Sequence, residues 1–166
     1  MKKYIYTALI FMVSLFLDII TKYLVLINIS EHERINIAGS FIQLTLVYNR
    51  GGLFGILQGY QNLFLIISII VLIFIIIFFI YEKNKNMIFC TSMALITSGA
   101  VGNILDRVTG RKGVVDFIYI GSDNVFRWWA FNVADAVIVV GAFLLFIMFI
   151  EQEKKRKAAE KTGEKE

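Results

Sequence analysis

The chain has 166 residues, room for one domain, and 58% of them are hydrophobic, with 15 phenylalanines. A water-soluble fold of this length cannot bury that much apolar surface, so the expected solvent is lipid. One cysteine, one histidine and no proline exclude an internal disulfide, Cys- or His-cluster metal sites and proline-made helix breaks; the net charge of +4 matters less than where the charges lie.

A hydrocarbon core about 30 Å thick takes roughly 20 residues of apolar helix. The first stretch of that length runs over residues 4–27. Lys2 and Lys3 precede it as they would a secretory signal, but no small-residue cleavage site follows and Asp18 and Lys22 interrupt its second half, so a retained span is expected. Asp18 and Lys22 are four apart, on one helical face, with the acid N-terminal to the base. Residues 28–62 follow, in which Phe41–Tyr48 mixes β-branched, aromatic and polar residues in partial alternation and reads as a strand.

The second span covers 63–81, with Ser68 its one polar side chain before Tyr81. After a short turn carrying Lys83 and Lys85, the third covers 87–105. Ala94, Ser98 and Gly102 recur every four residues along it, with Gly99 beside them, a small-residue seam that lets helices approach closely. Asn103, Asp106 and Arg107 share one side of its last turn. Residues 106–130 form a second loop segment, in which Val114–Ile120 has β character. The fourth span covers 131–150 and opens on Asn132 and Asp135, with Trp128 and Trp129 where indoles favour the interface. The domain is expected over 1–152, followed by a charged tail over 153–166 that reads as a solvated helix end. The predicted fold is therefore all-α and membrane-embedded, with four transmembrane helices and a small β-sheet outside the bilayer.

Lys2, Lys3, Lys83, Lys85 and the tail lysines outweigh Arg34, Arg50, Arg107, Arg111, Lys112 and Arg127, so both termini are predicted in the cytoplasm, with 28–62 and 106–130 facing outward. On that topology the span charges all converge on the outer end. Charges in spans are costly and are functional candidates. Asp18 has Lys22 and Asp106 has Arg107 as basic neighbours; Asp116 and Asp135 have none in sequence. Two carboxylates in a partly dry site share one proton, so that one activates water while the other polarises a carbonyl. An ion or proton pathway and a non-catalytic membrane assembly protein are the alternatives on spacing alone.

Five blocks in order make the chain resemble bacterial lipoprotein signal peptidase, signal peptidase II: Asp18-Ile-Ile-Thr-Lys22, Asn49-Arg-Gly-Gly-Leu-Phe-Gly55, Gly102-Asn-Ile-Leu-Asp-Arg107, Gly113-Val-Val-Asp-Phe117 and Phe131-Asn-Val-Ala-Asp135. The resemblance implies an aspartic endopeptidase that removes signal peptides from diacylglyceryl-modified prolipoproteins just before the lipidated cysteine. It implies Asp116 and Asp135 as the catalytic pair, supporting or substrate-binding roles for Asp18, Lys22, Asn49, Gly51, Asn103, Asp106, Arg107 and Asn132, and no cofactor or metal. The implied setting is the bacterial cytoplasmic (inner) membrane, crossed several times, with the active site near its outer face. Lipidated prolipoproteins and membrane lipid are the expected partners, nucleic acid is not, and a monomer is expected. Two departures from the family pattern stand out. Gly52-Leu53 replaces a pair of alanines, and Trp129 stands where a proline often precedes Phe-Asn, which puts loop shape rather than the reaction in question.

Overall fold

The computed structural model describes residues 2–52, 57–122, 126–127 and 129–162; Leu53, Gly55, Trp128 and the last four residues of the tail lie outside them. Four helices are each long and apolar enough to cross a membrane: α1 (Lys2–Asn28), α2 (Gln61–Tyr81), α3 (Met87–Val108) and α4 (Val133–Thr162). They sit where the hydrophobic runs place them, with the ends of α1, α2 and α3 moved by at most three residues and α4 differing most. α4 starts at Val133 because Asn132 is its N-cap, and it runs without a break through 153–162, so the described part of the charged tail continues the last span as helix.

α3 lies at the centre, packed on α1, α2 and α4, and is the most buried of the four. Its small-residue seam makes this possible. A Cβ on Gly99 would run into the Ala134 carbonyl, and one on Gly102 into the Asp18 carboxylate, so both glycines are places where a neighbouring helix comes within backbone distance. α2 has no buried residue and packs mainly on α3, which suits a segment apolar all round whose other faces meet lipid. Helix ends are closed by side chains. The Asn86 side chain accepts from the Phe89 N–H at 2.8 Å to cap α3, and Lys85 donates to the last carbonyls of α2. Lys3 donates to the Lys85 carbonyl at 2.8 Å, so the N-terminus and the α2–α3 turn share one end of the bundle.

The other end carries the sheet. Strands β1 (Arg34–Ala38), β2 (Ile42–Asn49) and β3 (Val114–Ser122) pair antiparallel in that order, and a two-residue β4 (Phe126–Arg127) pairs with the end of β3. Strands β2 and β3 fall on the expected segments, shifted or extended by one or two residues; β1 and β4 were not expected. Val25 of α1 and Ile29 just beyond its end pack with Leu46, Val115 and Phe117 in a core that fixes the sheet to the bundle. A second core, Phe89, Cys90, Met93 and Met148, closes the opposite end. Cys90 is fully buried there.

Two details of the sheet set the site. Leu44 pairs with Ile118 but Val47 with Asp116, so β2 carries one extra residue between them, and Thr45 and Leu46 are buried in succession. This bulge turns Asn49 onto the face that Asp116 occupies. Farther on, Phe131 exchanges backbone hydrogen bonds with Ile118 at 2.8 and 3.1 Å, drawing the start of α4 alongside β3.

Candidate active site

The first four N–H groups of any helix lack partners within it. At the start of α4 two of the side chains that resolve this are Asn132 and Asp135. Asn132 Oδ1 accepts from the Asp135 N–H at 2.9 Å, and Asp135 Oδ2 accepts from the Asn132 N–H at 3.2 Å. This is a reciprocal capping box in which Asp135 holds the N3 position. Asp18, reaching across from α1, accepts from the Ala134 N–H at 2.9 Å. The spacing Asn132-x-x-Asp135 is the sequence signature of such a box.

Asp116 enters from β3. Its Oδ1 accepts from Asn132 Nδ2 at 2.7 Å and its Oδ2 from Asn49 Nδ2 at 3.1 Å. Asp135 Oδ1 accepts from Asn103 Nδ2 at 2.8 Å, and Asn132 Nδ2 also reaches Asn103 Oδ1 at 3.1 Å. Asn132 therefore touches both carboxylates, one through its side chain and the other through its backbone. Asp116 is buried and Asp135 half-buried, and no described lysine or arginine forms an ion pair with either. Burial first, and then the negative charge of Asp135, push the Asp116 carboxyl up to about 8 against the pull of its asparagine donors.

Behind the pair runs a chain of buried charge. Lys22, only 1% exposed, lies 2.8 Å from Asp18 and 2.8 Å from Asp106, and donates to Asn103 Oδ1 at 3.2 Å. A buried ammonium with this little access to water is tolerable only among compensating oxygens, and here two carboxylates and one carboxamide supply them. Asp106 is neutralised by Lys22 and by Arg111, not by its sequence neighbour Arg107, and also accepts from the Val115 N–H at 3.2 Å, tying α3 to β3 one residue before Asp116. Arg107 instead bonds the Gly51 carbonyl at 3.1 Å and the Asn103 carbonyl at 3.3 Å. Gly51 in turn donates its N–H to Asn49 Oδ1 at 3.0 Å. A groove of about 150 Å³ opens between α1 and α3 beside Asp18, Lys22, Asp106 and Arg111, and does not extend to Asp116 or Asp135.

The ten candidate site residues of the sequence thus meet in one cluster at the sheet end of the bundle. Two others belong with them: Arg111, which completes the ion chain, and Gln58, whose side chain donates to Asn49 Oδ1 at 3.1 Å. Neither carries a sequence signal of its own. Arg111 reaches Asp106 because α3 stops at Val108 and the chain turns back through Gly110 at a φ of +73°. No group of His, Cys, Asp and Glu suited to a metal ion occurs among the described residues. The chemistry on offer is that of two adjoining carboxyls able to hold one proton between them while their asparagine neighbours donate to both.

Comparison with known proteins places the whole chain. The family model for signal peptidase (SPase) II matches residues 10–151. The chain is 40% identical to a lipoprotein signal peptidase of Halalkalibacterium halodurans, over 88% of this chain and 92% of that one. It is 36% identical to one of Clostridium novyi, over 89% and 99%. A solved bacterial membrane enzyme superposes with a TM-score of 0.82 at 30% identity, covering 90% of each chain, and a second with 0.74 at 32%, covering 87% of this chain and 92% of the other.

Proposed function

The chain belongs to the signal peptidase II family, and from that premise we propose that it is an aspartic endopeptidase of bacterial prolipoproteins, with Asp116 and Asp135 as its catalytic pair. The observation that carries the reading is the sharing of Asn132. One residue donates to both carboxylates, which hold no ion pair with a described base, so the pair is built to keep a single negative charge near a single proton.

In this reading Asp116, with its raised affinity for a proton, is the protonated member at neutral pH and Asp135 the charged one. Asp135 takes a proton from a water molecule as the water oxygen bonds to the scissile carbonyl carbon. Asp116 gives its proton to the carbonyl oxygen, which yields a neutral tetrahedral diol. Collapse of the diol breaks the C–N bond. The proton held by Asp135 passes to the departing amine, and one diol proton returns to Asp116. Water has been consumed, a carboxyl and an amine released, and the pair is back in its starting state. No cofactor enters this cycle.

The substrate is a prolipoprotein already carrying diacylglycerol on its cysteine, and the bond cut lies just before that cysteine. A lipid-anchored cysteine presents its scissile bond close to the membrane face, and Asp135 sits in the first turn of a span, at that depth. We place both termini in the cytoplasm, the sheet on the outer face of the bacterial inner membrane, and the protein at work as a monomer. A proton pathway would need polar groups along the spans; here the buried charges of the helices cluster at the sheet end.

The deciding experiment expresses Asp116→Asn and Asp135→Asn in a strain lacking its own enzyme and follows precursor prolipoprotein by its shift in mobility. Each variant is expected in the membrane at wild-type level with cleavage reduced at least about 10³-fold. Processing at the normal rate by either one refutes the assignment.

A further inference from the structure

A carboxamide has two ends of nearly equal shape and opposite function, an acceptor oxygen and a donor NH2. Asn49, Asn103 and Asn132 each place the NH2 end on a carboxylate of the pair, at 3.1, 2.8 and 2.7 Å. Turned about, Asn103 would set an oxygen against the charged carboxylate of Asp135. Each carboxamide is held the right way round at its own oxygen by a group that donates and cannot accept. For Asn49 this is the Gly51 N–H, and for Asn132 the Asp135 N–H; both are backbone and come with the fold. For Asn103 it is the Lys22 ammonium.

Asn132 Nδ2 also donates to Asn103 Oδ1, but that neutral bond is not the stronger influence once Lys22 is gone. Asp18 and Asp106 lie on the far side of Lys22, each 2.8 Å from its nitrogen, and are buried. Without Lys22, Asp18 has no ion pair left among the described residues and Asp106 keeps only Arg111, so both attract a donor with a charged acceptor's strength, about twice that of a neutral one. The carboxamide of Asn103, whose oxygen Lys22 had held, is then free to turn its NH2 end toward them and away from Asp135.

Building on the reading of Asp116 and Asp135 as the catalytic pair, we propose that Lys22 is a positioning residue that acts through Asn103, fixing which end of that carboxamide faces Asp135. It touches neither the pair nor the substrate. Its loss slows the chemical step by taking a donor from Asp135 and replacing it with an oxygen.

The test is a double-mutant cycle on the purified full-length protein in detergent, with a synthetic peptide bearing a diacylglyceryl cysteine as substrate. Lys22→Met is expected to lower kcat about 10-fold or more with KM changed less than about 2-fold, and Lys22→Arg, which keeps a donor and the charge, to recover most of the rate. In an Asn103→Ala background, Lys22→Met is expected to lower kcat by less than about 2-fold, because the group it acts through is gone. Should Lys22→Met not fold, the cycle is run with Lys22→Gln, whose carboxamide still donates to the buried acids without the charge. Equal losses in both backgrounds mean that Lys22 acts independently of Asn103, and they overturn the proposal. Asp116→Asn and Asp135→Asn assayed on the same peptide separate the two levels of inference. Cleavage by either of these rejects the catalytic pair itself, whereas inactivity of both with an additive Lys22 cycle rejects the positioning role alone.

Discussion

At the scale of single residues, Asp116 is where burial and charge have their clearest consequence. Its carboxyl is raised from 3.8 to about 8, by burial first and by the charge of Asp135 second. In the folded protein it keeps a proton that the unfolded chain gives up near pH 4. The folded state therefore binds more protons across that interval, and stability is greatest below it and declines as pH rises through about 8. Activity follows the same proton. The rate should fall on the alkaline side, by about tenfold per unit once pH passes roughly 8, as the pair loses its shared proton. Initial rates from pH 5 to 10 check this, and a rate still level at pH 10 contradicts it. Asp116→Asn supplies a neutral group permanently, so its melting temperature at pH 8 should lie within about 4 °C of the parent or above it. If Asp116 served to hold the helices together, the same change would lower it.

The elements show why some of this was legible in the chain and some not. Four runs of about 20 apolar residues allow few other arrangements in a bilayer, and β2 and β3 announce themselves by alternation. β1, Arg34–Ala38, is exposed along its whole length, so no burial pattern was imposed on its residues, and β4 is two residues long. The site was legible as a list of residues more than as contacts. Asn49 meets Asp116 only because of the bulge before Val47, and nothing in Thr45 or Leu46 marks an extra residue. Asp106 looked paired with Arg107, but consecutive residues on a helix point about 100° apart, and Lys22 and Arg111 fill the place instead. The seam of α3 was legible, and its consequence is testable. A Cβ on Gly102 would press on the Asp18 carboxylate and lie 3.4 Å from the Ala134 Cβ. Asp18 caps α4 and pairs with Lys22, so it has no slack in which to retreat. Gly102→Ala is expected to cost about 1–3 kcal/mol, read as a lower midpoint of thermal unfolding in detergent. It should also reduce activity, because the start of α4 carries Asp135. An unchanged midpoint would mean that α1 and α4 part at this level without loss.

For the whole molecule, function depends on which end faces out. Arg111 is bound to Asp106, Lys112 to Glu31 at 2.8 Å and Arg107 to backbone carbonyls, so the sheet end spends much of its positive charge internally. The opposite end carries Lys2, Lys3, Lys83, Lys85 and the basic residues of α4 beyond Ile150, and lysine and arginine near span ends set orientation by their number on the cytoplasmic side. The chain offers a clean way to measure this. Its one cysteine, Cys90, is fully buried, so a cysteine placed elsewhere is the one that an impermeant thiol reagent meets. Ala38 of β1 and Lys83 of the α2–α3 turn are both exposed, at opposite ends. Ala38→Cys should label in intact cells and Lys83→Cys only after the membrane is opened. The reverse pattern would leave the fold as it is and yet remove the proposed substrate from reach. Asp116 and Asp135 lie at the sheet end, and a lipid-anchored peptide carried across the membrane has its cleavable bond at the outer face, where only an outward-facing sheet can meet it.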